Sequence, residues 1–486
     1  MKGSVKGSVA ACVALVVATA ASAKDLLGVY HDAVLYDAQI RQADATRKAA
    51  REANPQAWAE LLPQISGSYA FTREKIEQSA VEAFPGPGGA VLPAQFATSE
   101  YASNHGYQLQ LQQSLFNWAY WAGVSKAKKQ VGQAEADYRA AQENLIQRTA
   151  QAYFNVLSAQ DTLDAQAASL EAISRQLDQA NKRFEVGLIA ITDVQEAKAA
   201  RDTAAAAVIA AKRTLATAGD QLSEITGQKY ELLSKPGEDM PLNSPQPADE
   251  DKWVQVSLDQ NLSLISSRLA ADIARDNVRI AFGGHLPTID LIASKSRTTT
   301  DADEAVPPLG PFSLDSVIND RQYTLQITVP LFSGGLTQSK VRQSQYLWIA
   351  AKEQVTQSSR ATERQARDAY LGVISGIARV QALRQALESS QTALKATEAG
   401  YEVGTRTAVD VLNSRRTLVQ AQTDYAGSRY DYIVSVIQLR LAAGNLSRND
   451  VEEINKWLAV TAPTVPAQPI EAPEQPSAPQ APPSTP

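Results

Sequence analysis

The chain has 486 residues, with 46 Lys and Arg against 52 Asp and Glu and a formal net charge of −6. That length is enough for two or three ordinary domains, and the acidic balance argues against nucleic acid as a partner. One cysteine, and three histidines (His31, His105 and His285) that lie far apart in sequence, offer no disulfide framework and no metal-ligand cluster.

In chain order, Lys2 and Lys6 precede the apolar run Val9 to Ala21, and small residues end at Ala23. This is the three-part pattern of a secretory signal peptide over residues 1–23. Its removal takes away Lys2, Lys6 and Cys12, leaving 44 basic and 52 acidic residues, a net of −8. No later segment approaches the ~20 apolar residues of a spanning helix. Residues 24–62 read as helical. Residues 63–116 read as two strands joined by a loop: Ile65, Tyr69 and Phe71 share a face opposite Gln64, Ser66, Ser68 and Thr72, and Tyr107, Leu109 and Leu111 alternate with Gln108, Gln110 and Gln112. The aromatics Phe116, Trp118, Tyr120 and Trp121 mark the passage into helix.

Residues 117–227 read as a helical hairpin. No proline occurs from Trp118 to Phe184, and apolar residues recur every seven at Val156, Leu163, Leu170, Leu177 and Phe184, flanked by Ala159, Ile173 and Ala180. This is coiled-coil patterning, and at 1.5 Å per residue it implies roughly 100 Å of helix. Residues 228–251 read as a linker, and residues 252–284 as helix. Residues 285–332 form a second strand pair, in which Tyr323, Leu325, Ile327 and Val329 alternate with Gln322, Thr324, Gln326 and Thr328. Residues 333–445 form a second hairpin with Val373, Val380, Leu387, Leu394 and Tyr401 on its seam, and residues 446–486 a C-terminal region. From Thr461 on, the proline-rich composition predicts a disordered tail.

The two halves are copies of each other. "YQLQLQQSLF" at Tyr107 is answered by "YTLQITVPLF" at Tyr323, and "FEVGLIAITDV" at Phe184 by "YEVGTRTAVDV" at Tyr401. The interval from Phe116 to Phe332 matches that from Asp193 to Asp410 to within a single position. The strands carry Gln and Thr opposite their apolar face, the aromatics cluster as an interfacial girdle would, and the chain is exported; together these favour a water-filled membrane barrel over a soluble sheet. An open sheet edge cannot persist in lipid, and four strands are too few to close a barrel. Several copies must therefore share one.

The sequence up to about Asn445 resembles the TolC family of outer-membrane efflux proteins. The resemblance is carried by "AYFNVLSAQD", "RQLDQANKRFEVGLIAITDVQEA", "GHLPTIDL", "EAGYEVGTRTAVDVL" and the duplicated layout. It implies a homotrimer in the outer membrane of a Gram-negative bacterium. Four strands per chain would form a twelve-stranded β-barrel surrounded by lipid, continued by a long periplasmic α-helical coiled-coil barrel. The implied partners are a periplasmic adaptor (membrane fusion) protein and an inner-membrane ABC or RND-type pump, and the implied role is a passive exit duct for efflux or type I secretion, with no cofactor.

Each hairpin turns at a glycine, Gly187 or Gly404, which supplies the positive φ that ends a helix. Thr407 followed by Asp410 fits a capping box, as does Thr192 followed by Gln195. By itself Asp410 reads as a first-turn carboxylate facing the helix dipole. The resemblance adds a second role. Asp410 would ring the closed entrance in three copies, with Tyr401 and Arg406 as its latch, Thr192 and Asp193 as their partners, and Gln176 and Glu398 as a further link. Where the family has a second acidic residue in the constriction, this chain has Asn413, so three carboxylates rather than six would face the axis.

Two other classes fit the sequence less well. An enzyme needs convergent acid, base or nucleophile groups, and no Ser-His-Asp spacing, metal cluster or phosphate loop is found. A periplasmic adaptor or structural coiled-coil protein would share the heptads but not the paired amphipathic strands in each half.

Overall fold

Long runs of Ala, Gln and Leu without proline make long helices, and period-two alternation makes strands. The computed structural model describes residues 23–85, 88, 91–306 and 310–464, so most of the expected signal peptide and the tail from residue 465 lie outside the described residues. The first half runs α1 (Leu26–Tyr36), α2 (Ala38–Arg51), α3 (Ala53–Ala59), β1 (Gln64–Pro85), β2 (Val91–Phe116), α4 (Trp118–Glu185), α5 (Ile191–Thr226) and β3 (Leu232–Pro236). The second runs α6 (Glu250–Gln260), α7 (Leu262–Gly283), β4 (Thr288–Val306), β5 (Gly310–Thr328), α8 (Leu336–Glu402), α9 (Ala408–Ala443), α10 (Arg448–Asn455) and β6 (Leu458–Pro463). No described helix is long and apolar enough to cross a membrane.

The chain divides into two compact units. One comprises residues 44–137 and 263–358 and contains a four-stranded antiparallel sheet in the order β1-β2-β4-β5. The register places Ile65 opposite Leu111, Tyr69 opposite Tyr107, Leu111 opposite Ala293, and Leu291 opposite Leu325, so the apolar residues of all four strands share one face. The other face carries Gln64, Ser66, Gln108, Gln110, Ser294, Gln322 and Thr324, with Ile292 as an apolar exception. The apolar face is bare: Ile65, Tyr69, Phe71, Tyr323, Leu325 and Ile327 are all well exposed within one chain. Strands β1 and β5 are open edges. At the end of the sheet where β2 passes into α4, Trp118 and Trp121 are exposed, and Trp121 meets Trp58 edge to face with ring centroids 6.1 Å apart. In the helical part of this unit the fully buried Asp276 is held by Lys129 at 2.7 Å, Arg279 at 3.0 Å and Ser125 Oγ at 2.9 Å. A buried carboxylate needs such partners, and removing one costs several kcal/mol.

The second unit comprises the residues before 44, residues 138–262 and those from 359 on. The heptad positions Val156, Leu163, Ile173, Val373, Val380 and Leu394 are buried here, whereas Phe184, at the end of the first seam, is exposed. Its core gathers Tyr153, Phe154, Tyr430 and Tyr432 from α4 and α9. The Tyr430 hydroxyl donates to Asp161 at 2.6 Å, and Lys235 pairs with the same carboxylate at 3.1 Å. A small sheet packs against this core. Strand β3 pairs antiparallel with β6 and also takes Lys24, whose N–H donates to Leu232 O and whose carbonyl accepts from Ser234 N. Two expectations change here. Residues 228–251 hold a strand as well as a connection, and Thr461 to Pro463 belong to β6 rather than to an unstructured tail.

Candidate functional site at the hairpin tips

The tips follow from backbone chemistry. Helix α4 stops after Glu185 and α8 after Glu402, and Gly187 (φ 75°) and Gly404 (φ 79°) take the left-handed conformation just beyond. In the first tip Leu188 N–H donates to Arg183 O at 2.9 Å and Gly187 N–H to Phe184 O at 2.8 Å. In the second, Thr405 N–H donates to Gly400 O at 2.8 Å and Gly404 N–H to Tyr401 O at 3.1 Å. Both are Schellman closures, which satisfy the last carbonyls of a helix and turn the chain.

The returning helices start differently. Thr407 caps α9 with a complete box: Asp410 N–H donates to Thr407 Oγ1 at 3.2 Å, and Asp410 Oδ2 accepts from Thr407 N–H and Thr407 Oγ1, each at 2.9 Å. Those two donors, backbone first and hydroxyl second, hold the Asp410 carboxyl below the usual carboxylate range, with the Arg406 charge adding to the effect. Helix α5 is capped by Ala190, which has no side-chain acceptor. Thr192 therefore lies inside the first turn and is not the cap that the sequence pattern suggested. Asp193, at the box position, donates its N–H to Ala190 O at 3.1 Å.

Arg406 is exposed, and its Cγ lies where a β-carbon on Gly400 would come within 2.8 Å, so the glycine lets the side chain fold over the end of α8. Within one chain Arg406 makes no ion pair with Asp193, and Tyr401 makes no hydrogen bond with Thr192 or Asp193. The Tyr401 ring instead carries the Arg183 guanidinium at 5.2 Å from its centroid. Asn413 is exposed on α9, one turn beyond Asp410.

The remaining expected pair is brought to one place but not joined. Gln176 and Glu398 line a cleft of about 360 Å³ with Arg175, Arg183, Tyr401 and Arg415. Glu398 is bonded to Arg415 Nη2 at 2.5 Å, while both amide atoms of Gln176 and the Arg415 Nε are buried without a partner. A buried polar group left so costs roughly 1–3 kcal/mol, so the cleft is completed only by a further donor or acceptor. Sequence reasoning missed Arg415. Its signal was the 17-residue spacing to Glu398, the same as that of Ser414 to Thr397, whose hydroxyls meet at 3.2 Å.

The family profile described as outer membrane efflux protein matches residues 29–228 and 253–445. The chain belongs to that family. Outer membrane protein TolC of Escherichia coli K12 is 36% identical over 442 residues, covering 90% of this chain and 85% of that protein. The alkaline protease secretion protein AprF of Pseudomonas aeruginosa is 27% identical over 434 residues, 89% of this chain and 87% of that one. The fold matches the crystal structure of the Campylobacter jejuni CmeC outer membrane channel with a TM-score of 0.69 at 18% identity, covering 89% of this chain and 90% of that one. The resemblance to outer-membrane efflux proteins is thus met over most of the chain, and the adaptor alternative falls away. The unmatched residues 229–252 of this efflux family member contain β3, the strand that the sequence pattern concealed.

Proposed function

We propose that the protein is a passive exit duct through the outer membrane, with a gate formed by its hairpin tips. The observation that carries the duct is the sheet. Four antiparallel strands present one bare apolar face, one Gln- and Thr-rich face and two open edges. In lipid such edges must be paired, and three copies supply the twelve strands of a closed barrel around water. Purified protein added to a planar lipid bilayer should then give discrete passive conductance steps; material that stays monomeric and never conducts would refute the duct.

The gate reading places Asp410 of each copy around one axis, with Asn413 beside it. Tyr401 and Arg406 find their partners, Thr192 and Asp193, across neighbouring hairpins, since neither makes those bonds within one chain. A neighbouring copy also has room to complete the cleft at Gln176 and Glu398. Exposed Val186, Leu188 and Ile191 at one tip and Val403 and Val409 at the other are apolar surface suited to a periplasmic adaptor that links the duct to an inner-membrane pump. The family description as outer membrane efflux protein and the relative named alkaline protease secretion protein AprF support efflux and protease secretion as the kinds of traffic. Replacing Asp410→Asn should remove most of the cation preference of the pore. If strong selectivity survives, the filter lies elsewhere.

A further inference from the structure

On β4 and β5 the apolar face of the sheet ends abruptly, whereas on β1 and β2 Tyr107, Tyr69 and Phe71 carry it further. On β5 the outward positions Ile327, Leu325 and Tyr323 are apolar, and Val329 and Leu331 continue the row just past the strand. From Leu331 to Tyr323 is nine residues, the length that a tilted strand needs to cross a bilayer's apolar layer. The next outward position is Arg321. It lies opposite Lys295 on β4, and the next outward residue of β4 is Arg297, beside Tyr107 of β2. All three basic side chains are exposed, and none has an ion-pair or hydrogen-bond partner among the described residues. They lie near the middle of β4 and β5, on the side of that apolar row away from α8, which begins eight residues after β5.

Like charges directly opposite on neighbouring strands destabilise a sheet unless an anion sits between them. Nearby acids do not supply it: Asp301 and Asp315, the next outward acidic pair, lie four or more residues further along, about 13 Å away at strand rise. Snorkelling into water would suit one long side chain, but it gives no reason for three cations to converge on two adjacent strands. A phosphate group answers that arrangement, because its oxygens accept from two guanidinium groups and an ammonium at once.

We propose that Lys295, Arg297 and Arg321 form a docking belt for the phosphates of an anionic glycolipid in the outer leaflet. The inference rests on the duct reading, which places this face in lipid. The belt recurs once per copy around the barrel. Each lipid rests its acyl chains on Tyr323, Leu325 and Ile327 while its headgroup is held by the three cations.

The test uses native mass spectrometry of the purified oligomer in detergent, with added lipid A, the same lipid stripped of phosphate, and inorganic phosphate as separate probes. Retention of lipid A should exceed that of the dephosphorylated form by about tenfold or more, the scale expected from several basic contacts. Millimolar inorganic phosphate should not displace it. A K295Q/R297Q/R321Q variant should lose the preference while still conducting in a planar bilayer. Equal retention of both lipids by the unmodified protein would overturn the belt, and displacement by free phosphate would overturn the choice of a lipid. Failure of the unmodified protein to conduct would count against the duct itself, independently of which lipid is retained.

Discussion

The two hairpin tips share a backbone and differ in almost every side chain that could hold them shut. The duplication aligns Tyr401 with Phe184, Arg406 with Ile189, Thr407 with Ala190, Thr397 with Ala180 and Ser414 with Ala197. The turn geometry is the same because one left-handed glycine dictates it in each. Behind the turn, the first hairpin is closed by apolar contact among Ala180, Val194 and Ala197, with Leu177 and Ile189 packed on them. The second is closed by polar ties, Ser414 to Thr397 and Arg415 to Glu398. An apolar contact can only be lost, whereas a polar tie can be exchanged for another partner or for water at a net cost of about 0.5–1.5 kcal/mol. The duplication thus left one tip closed by apolar contact and one by exchangeable polar ties, which suits the second hairpin to be the moving part of the proposed gate.

The largest effect should come from substituting the second tip against the first. Tyr401→Phe with Arg406→Ser should raise single-channel conductance severalfold, whereas Phe184→Leu with Ile189→Val at the matching positions should leave it unchanged. Equal effects in the two hairpins would erase the asymmetry. Next in size is the cap. Thr407→Ala should destabilise the start of α9 by about 1 kcal/mol. Ala190→Thr should stabilise α5 by a similar amount, because Asp193 already stands at the box position. Amide-exchange protection of the two first turns reads both changes.

The smallest expected effect is that of pH. Because the Asp410 carboxyl is held below its ordinary range, its contribution is present above that range and lost as pH falls through the lowered value. Protection at the second tip should therefore weaken on acidification, and Thr407→Ala should remove that dependence.

Much of this was legible in the sequence. The alternation at Tyr107 and Tyr323 places the strands, and the heptads from Val156 and Val373 place the buried seams, because both are local patterns with a fixed period. The misreadings are non-local. Strand β3 is short, and its partner β6 lies across the whole second half of the chain, so no local pattern announces either. Thr192 looked like a cap because the spacing to Gln195 fits, but the Schellman closure sets the start of α5 at Ile191. Arg415 was missed because its partner, Glu398, lies across the turn, where only the 17-residue spacing shared with Ser414 and Thr397 points to it. The proposed latch is not formed within a single chain, since Arg406 and Tyr401 find no partner at Asp193 within one copy.

The small sheet has a consequence for how the protein is made. Its middle strand, β3, takes Lys24 from just ahead of α1 and β6 from beyond the last long helix. That sheet cannot be assembled until almost the entire polypeptide has left the cytoplasm. The unit that holds this sheet is therefore completed late, when its closing strand arrives.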